Sequence, residues 1–237
     1  SEYATLRING TVTSQVTTQI KLNNLIINSG GILSHSVNTD TSASWIPNAL
    51  VNLTLTGNLT VNAGGTIDIT GKGYSANNGP GAGIATRVGG AYGGLGGAGN
   101  GVSAATYGSV LTPTDLGSGG RDGDAGGYPG GGAVILNITG IAMINGTISS
   151  NGTSSPCNSC GSGSGGSIYL IANTFTGNGR ITSNGGITVS GSSGGGGGGG
   201  RIAIYYTTST FTGTITSSVG SSGTSGSAGT IVIASSD

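Results

Sequence analysis

Apolar and polar residues alternate along several short stretches of this chain. The alternation is clearest in residues 51–55, 67–69, 168–170, 202–204 and 231–233. A period of two residues places the apolar side chains on one face of a β-strand. Glycine interrupts almost every longer window, and an interior glycine costs a helix about 1 kcal/mol relative to alanine. We therefore predict an all-β fold of short strands, each buried on one face.

A repeat of 33 to 34 residues runs through most of the chain. A glycine followed one or two residues later by isoleucine occurs at Gly31, Gly65, Gly146, Gly179 and Gly213, at intervals of 34, 81, 33 and 34 residues. A fixed period built from short strands and glycine-rich turns is typical of a β-solenoid, in which each coil covers the apolar end of the previous one. We predict one domain over residues 1–237, with residues 74–132 as an insertion in the long interval.

A glycine-rich run precedes the first strand of each later repeat, at residues 130–132, 163–166, 194–200 and 223–229. If the coils stack in register, these runs stack as well, and they form one side where backbones approach closely in a polyproline-II-like conformation. The alternative interpretation is a row of flexible surface loops.

The insertion holds four of the eight tyrosines, Tyr74, Tyr92, Tyr107 and Tyr128. Aromatic rings among glycines offer a large contact area at low entropic cost, which suits contact with glycans or with a neighbouring subunit. Alternatively, the rings fasten the insertion to the wall of the solenoid. Both interpretations stay open from the sequence.

Charged residues make up only 6% of the 237 residues, and seven Lys and Arg balance seven Asp and Glu. Zero net charge removes the electrostatic attraction on which binding to nucleic acids and anionic membranes depends, so we expect neither partner. No apolar run approaches the roughly 18 residues needed for a membrane span. The chain begins at Ser1 without Met or an apolar signal stretch, as expected of a mature chain after leader removal or of a fragment.

Six Asn-x-Thr sequences are candidate N-glycosylation sites: Asn9, Asn52, Asn58, Asn137, Asn145 and Asn151. Asn, Thr and Gly are abundant here, so chance also produces such sequences. Attached sugars would hydrate a surface that has few charges. We therefore expect an extracellular or cell-surface glycoprotein.

The two cysteines, Cys157 and Cys160, lie in one Gly/Ser-rich turn. Two thiols cannot complete a four-ligand zinc site, and no βαβ pattern supports a thioredoxin-like role. We predict a local disulfide in an oxidising compartment, with free thiols as the alternative. Because the closed loop is short, the stabilisation should be modest.

Residues suited to catalysis are few. Asp115, Asp122 and Asp124 with Arg121 form the only acidic cluster, and residues 119–124 resemble a single half of a calcium-binding turn. His35 has no positioned carboxylate or nucleophile in the sequence, which favours a surface or turn residue over a catalytic one. We predict no catalytic residue, no metal site and no cofactor, and we do not expect an enzyme.

The segments 60–68, 145–152, 165–170 and 199–204 resemble the glycine-rich β-solenoid repeats of large secreted and cell-surface proteins of bacteria and archaea. These belong to the parallel β-helix class. The resemblance implies a right-handed parallel β-helix and a structural or adhesive role, with no catalytic residues. A β-sandwich is the alternative fold, because alternation alone does not reveal whether neighbouring strands run parallel.

A β-solenoid has two open ends with unpaired strand groups, and neither end of this chain has a recognisable cap. The expected assembly strands carry Leu6 and Ile8 at one end and Ile231 and Ile233 at the other. Head-to-tail addition of such strands gives a filament. The first functional hypothesis is therefore a self-assembling subunit of an extracellular filament or surface appendage. The second is a carbohydrate-binding adhesin module with the tyrosine-rich insertion as its binding face, and the third is a β-helix polysaccharide lyase or glycosidase.

Overall fold

The fold is all-β, as the alternation predicts. The structure is a computed structural model that describes residues 4–121, 128–189, 193–221 and 223–235. Within these ranges fifteen strands form: β1 (Leu6–Ile8), β2 (Thr11–Ser14), β3 (Ile20–Leu22), β4 (Leu25–Ile27), β5 (Ile32–His35), β6 (Val51–Leu55), β7 (Leu59–Val61), β8 (Thr66–Asp68), β9 (Ala133–Ile144), β10 (Thr147–Ser149), β11 (Ser167–Thr176), β12 (Arg180–Thr182), β13 (Arg201–Ser209), β14 (Thr214–Thr216) and β15 (Thr230–Ser235).

The strands form two sheets, and each pairing between described strands is parallel. The nine-stranded sheet runs in the order β1-β4-β7-β9-β11-β13-β15, and β3 and β6 join it beside β9. The six-stranded sheet runs β14-β12-β10-β8-β5-β2. This pairing differs from the antiparallel sheets of a β-sandwich, our alternative fold.

The register of the pairs follows the sequence repeat. In the six-stranded sheet Leu33, Ile67, Ile148, Ile181 and Ile215 pair in succession, so the isoleucines of the last four Gly-Ile motifs lie beside one another. In the first motif Ile32 pairs with Thr66, and Leu33 takes the inward position. A one-residue slip would turn every apolar side chain to the other face of the strand, which is why burial fixes this register.

A complete repeat supplies three strand segments, which we call positions a, b and c. In the second repeat these are β3, β4 and β5, and in the third they are β6, β7 and β8. From the fourth repeat to the sixth, the long strands β9, β11 and β13 supply both a and b, while β10, β12 and β14 supply c. Among the described residues, the first repeat has strands only at positions b and c, namely β1 and β2. After the sixth repeat the described chain adds one strand, β15, at position a.

The inward-facing positions of the strands form one continuous apolar core. Position a contributes Leu53, Leu136, Leu170 and Ile204, which pair in succession and are buried. Burying a side chain of this size stabilises a fold by about 1.5–3 kcal/mol. The core therefore extends along the stack, and each repeat depends on its two neighbours to cover its apolar side chains.

The glycine-rich runs at 130–132, 163–166 and 194–200 are buried, so the interpretation as flexible surface loops is wrong for these three, whereas the run at 223–229 is exposed or half-buried. They lie outside the strands and bond to one another through the backbone. The Gly186 N–H donates to the Gly163 carbonyl at 2.8 Å, Gly197 to Gly186 at 2.9 Å, and Gly220 to Gly197 at 2.8 Å. Backbones thus pack directly against backbones on this side of the molecule, as the stacked glycine runs predict.

Candidate functional site

The two ends of the strand stack are the candidate site. β1 and β15 are the opposite edges of the nine-stranded sheet, and β2 and β14 are the opposite edges of the six-stranded sheet. An edge strand has backbone N–H and C=O groups with no partner in its own sheet, and these can pair with another chain. Both ends therefore offer a parallel β-edge.

At the C-terminal end, the described residues include no layer that covers the inward-facing side chains of β15. Ile231 and Ile233 of β15 pair with Ile202 and Ile204 of β13. The two inner isoleucines are 0% exposed, whereas Ile231 is 42% and Ile233 47% exposed. The same positions are buried in every repeat that has a neighbour on both sides, so one further layer would bury these two side chains.

The N-terminal end shows the same pattern. Leu6 is 37% exposed and its partner Leu25 is buried; Ile20 is 39% exposed, and its partner Leu53 is 5% exposed. Together with Val12 these side chains line an apolar groove of about 270 Å³. An exposed apolar groove rimmed by polar residues is typical of an interaction surface.

Of the four predicted assembly residues, Leu6, Ile231 and Ile233 are exposed at the ends. Ile8 is not, because its side chain lies within the main core cluster. Ile8 lies on the edge strand β1, so its backbone, and not its side chain, is placed for strand addition. The role of the four residues in assembly stays a prediction.

The predicted glycan or subunit contacts in the insertion are wrong for Tyr74 and Tyr92, because both side chains are buried. The Tyr74 hydroxyl donates to the Trp45 carbonyl, and the Tyr92 hydroxyl lies 2.6 Å from Ser167 Oγ. Tyr107 is half-buried and donates to the Leu116 carbonyl at 2.5 Å. These three rings fasten the insertion to itself and to the strands.

Tyr128, the fourth of these tyrosines, is half-buried at the end of the insertion. Its backbone carbonyl accepts a hydrogen bond from the Gly120 N–H at 2.8 Å. The role of its ring in binding glycans or a subunit stays a prediction.

Arg201 is a buried residue that the sequence analysis did not single out. Its Nε and Nη2 donate to the Tyr107 carbonyl at 3.0 and 2.8 Å, and its Nη1 donates to Thr230 Oγ1 at 3.2 Å. The guanidinium also lies 5.3 Å from the centre of the Tyr92 ring, within range of a cation–π contact. One feature of the sequence could have identified it. Arg201 is a charged residue at the first position of β13, whereas the equivalent residues of β9 and β11 are the uncharged Ala133 and Ser167.

The acidic cluster is only partly described. Asp122 and Asp124 lie outside the described residues, whereas Asp115 is half-buried within the insertion. Burial raises the pKa of the Asp115 carboxyl, and the positive charge of Arg201 opposes this shift. Within the described ranges, no three His, Cys, Asp or Glu side chains come together as metal ligands.

His35 is buried at the end of β5, so its interpretation as a surface or turn residue is wrong. Its Nδ1 lies 2.7 Å from the Ser36 carbonyl, and the Ala133 N–H donates to its Nε2 at 3.2 Å. The ring is therefore neutral, with its proton on Nδ1. It joins the second repeat to the residue at which the chain returns from the insertion.

The six glycosylation candidates differ in accessibility. Asn9, Asn58 and Asn137 are exposed, and the other three, Asn52, Asn145 and Asn151, are half-buried. The side-chain oxygens of Asn58 and Asn151 accept the backbone N–H groups of Ile141 and Asn184, both at 2.8 Å. The Asn145 oxygen likewise accepts the Asn178 N–H at 3.3 Å, and these three contacts link adjacent repeats. A sugar attached to the amide nitrogen would leave these oxygen contacts in place, and glycosylation stays a prediction.

Cys157 and Cys160 form a disulfide in the structure, with their Cα atoms 5.7 Å apart. For so short a loop, loop-closure entropy gives a stabilisation of about 2 kcal/mol or less. We expect the Cys157→Ala/Cys160→Ala double variant to lose no more than this in urea unfolding, with Ser159→Ala as the control. A larger loss would mean that the disulfide supports more of the fold than its own turn.

In comparisons with known proteins, the chain matches no protein-family model, no curated protein and no solved structure. Among the described residues there is no helix with the length and apolar character needed to cross a lipid bilayer. The class that fold and site define is therefore a parallel all-β protein with exposed apolar β-edges at both ends.

Proposed function

We propose that this protein is a structural subunit of an extracellular filament or cell-surface appendage that assembles head to tail by β-strand addition. The observation that carries the proposal is the exposure of core positions at both ends, at Leu6 and Ile20 on one side and Ile231 and Ile233 on the other. Each end also has an unpaired parallel edge. Stacking of a second copy would cover the apolar side chains and pair the edges in a single step.

The proposal includes a right-handed β-solenoid fold for the subunit. Support comes from the parallel register, in which residues one repeat apart pair along both sheets. Right-handed crossover is the usual connection between parallel strands. A solenoid grows by adding equivalent coils, so a second subunit can continue the same stack with the same side-chain columns.

The two ends differ from each other, so their contact is heterologous. A heterologous contact repeated from copy to copy produces either a closed ring or an open filament. In a straight stack each subunit leaves one end free for the next, which favours a filament. The partner is therefore a second copy of this chain.

We expect Ile233→Asp to abolish assembly, because the carboxylate would have to be desolvated where an apolar contact forms. The measurement is light scattering over a concentration series, combined with electron microscopy. The matched control is Ile84→Asp, which adds the same charge at an exposed isoleucine of the insertion. Equal assembly of the two variants would overturn the proposal, and so would a wild-type protein that stays monomeric at high concentration.

An extracellular location and sugar on the six Asn-x-Thr sequences belong to this proposal, as do the absence of enzymatic activity and of a cofactor. The zero net charge and the low content of charged residues support the attached sugars, because such a surface depends on hydroxyl and amide groups for hydration. Incubation with neutral and acidic polysaccharides and calcium tests the enzymatic hypothesis. Release of product would contradict the proposal.

The adhesin hypothesis has less support, because Tyr74 and Tyr92 are buried and offer no face to a sugar ring. A glycan array can still test it with Tyr128, whose side chain is half-buried. Glycan binding that is lost in Tyr128→Ala while assembly continues would favour an adhesin module over a purely structural subunit.

A further inference from the structure

The first repeat and the last strand are complementary. The first repeat consists of β1 at position b and β2 at position c, with position a vacant in the described chain. Beyond the sixth repeat only position a is filled, by β15. Among the described residues, the position that β15 fills beyond the sixth repeat is therefore the position without a strand in the first repeat.

We propose that β15 of one copy fills the vacant position a in the first repeat of the next copy, so that the joint is one complete repeat built from two chains. This inference rests on the head-to-tail assembly proposed above and specifies its geometry. Three parallel pairings form between the two copies. β15 of one copy pairs with β3 of the next, the second half of β13 pairs with β1, and β14 pairs with β2.

The side-chain columns set the register of this joint. Ile20 pairs with Leu53, and that column continues through the central repeats to Ile204 and Ile233. Extending it by one layer places Ile233 of one copy beside Ile20 of the next. The neighbouring outward position then places Ala234 beside Lys21.

The groove at the N-terminal end is apolar, as is the inward face of β15. Its lining includes Leu6, Val12, Ile20 and Leu22 and contains no charged side chain. The inward residues of β15 are Ile231 and Ile233, which are the exposed apolar side chains of the opposite end. An apolar strand with a free parallel edge is thus matched by an apolar groove with a free parallel edge.

Disulfide cross-linking between copies tests the joint. Adjacent parallel strands lie about 4.8 Å apart, within the Cα–Cα range that a disulfide spans. The native cysteines are already bonded to each other. We expect a mixture of Lys21→Cys and Ala234→Cys single variants to give a covalent dimer under mild oxidation, and the double variant to give a ladder of covalent oligomers. Gels under non-reducing conditions, followed by peptide mapping, identify the bond.

The matched control pairs Ala234→Cys with Ile84→Cys, an exposed position of the insertion that does not line the groove. We expect little cross-linking from this pair. Filaments that form without a 21–234 bond, or that cross-link equally at 84–234, would overturn the joint and leave the proposed function standing. A protein that stays monomeric would overturn both.

Discussion

We expect Gly197→Ala to destabilise the protein by about 3 kcal/mol or more, because an added methyl group has no space in the packed glycine layer. A Cβ at Gly197 would lie 1.9 Å from the Gly163 carbonyl oxygen and 3.0 Å from the Gly186 nitrogen. Both neighbours are backbone atoms that hydrogen bonds hold in place. No side chain can rotate away, so either the segment moves and loses its bonds or the layer opens. Urea unfolding followed by circular dichroism measures the loss.

The matched control is Gly10→Ala. A Cβ at Gly10 meets no atom within 4 Å, and its backbone does not adopt a positive φ. Alanine there should be neutral, or stabilising by a few tenths of a kcal/mol through the unfolded state. Equal stability of the Gly197→Ala and Gly10→Ala variants would show that the glycine layer is loosely packed and does not support the strands.

The repeat could be predicted because it leaves its period in the sequence. Isoleucines at 67, 148, 181 and 215 follow glycines, and the register of the second sheet pairs these same residues. For the glycine runs, the sequence allowed two interpretations, close backbone packing and flexible surface loops, and could not decide between them. Glycine permits both a mobile linker and a close backbone contact, and the choice depends on whether neighbouring runs are present to supply hydrogen bonds.

The contacts of the insertion could not be predicted, because they join residues far apart in sequence. His35 meets Ala133 across 98 positions and Arg201 meets Tyr107 across 94, and neither pair has a local motif. The sequence indicates that a lone histidine lacks a catalytic partner, but it cannot show whether the ring is buried.

For the candidate site, the sequence predicted which strands lie at the two ends but not the vacant strand position between them. Leu6, Ile231 and Ile233 were identified because apolar alternation continues almost to both termini. The vacant position a could not be recognised, because the first repeat is too short to display the period. β1 pairs with β4 at a separation of 19 residues, whereas β4 pairs with β7, β10 with β12, and β11 with β13 at 33 or 34. A missing strand becomes visible only when the neighbouring repeats define its place.

We expect the protein to lose about 3 kcal/mol of stability between pH 7 and pH 4 through His35 alone. Burial lowers the pKa of His35 from 6.5 to about 4, and the charge of Lys72 adds to this effect. The folded-state pKa lies below the unfolded-state value, so the unfolded chain binds the proton first as the pH falls. The contribution is complete above pH 6.5 and is lost progressively down to pH 4. Protonation would also remove the acceptor for the Ala133 N–H.

The measurement is the free energy of urea unfolding at pH 7, 5.5 and 4 for the wild type and for His35→Gln. Glutamine can accept the Ala133 N–H but does not titrate, so the variant should be less stable at pH 7 and lose less stability as the pH falls. The carboxyl of Asp115, whose pKa is raised by burial, titrates in both proteins and cancels in the difference. Parallel pH profiles for the two proteins would contradict the prediction, because they would mean that His35 is hydrated or charged in the folded state.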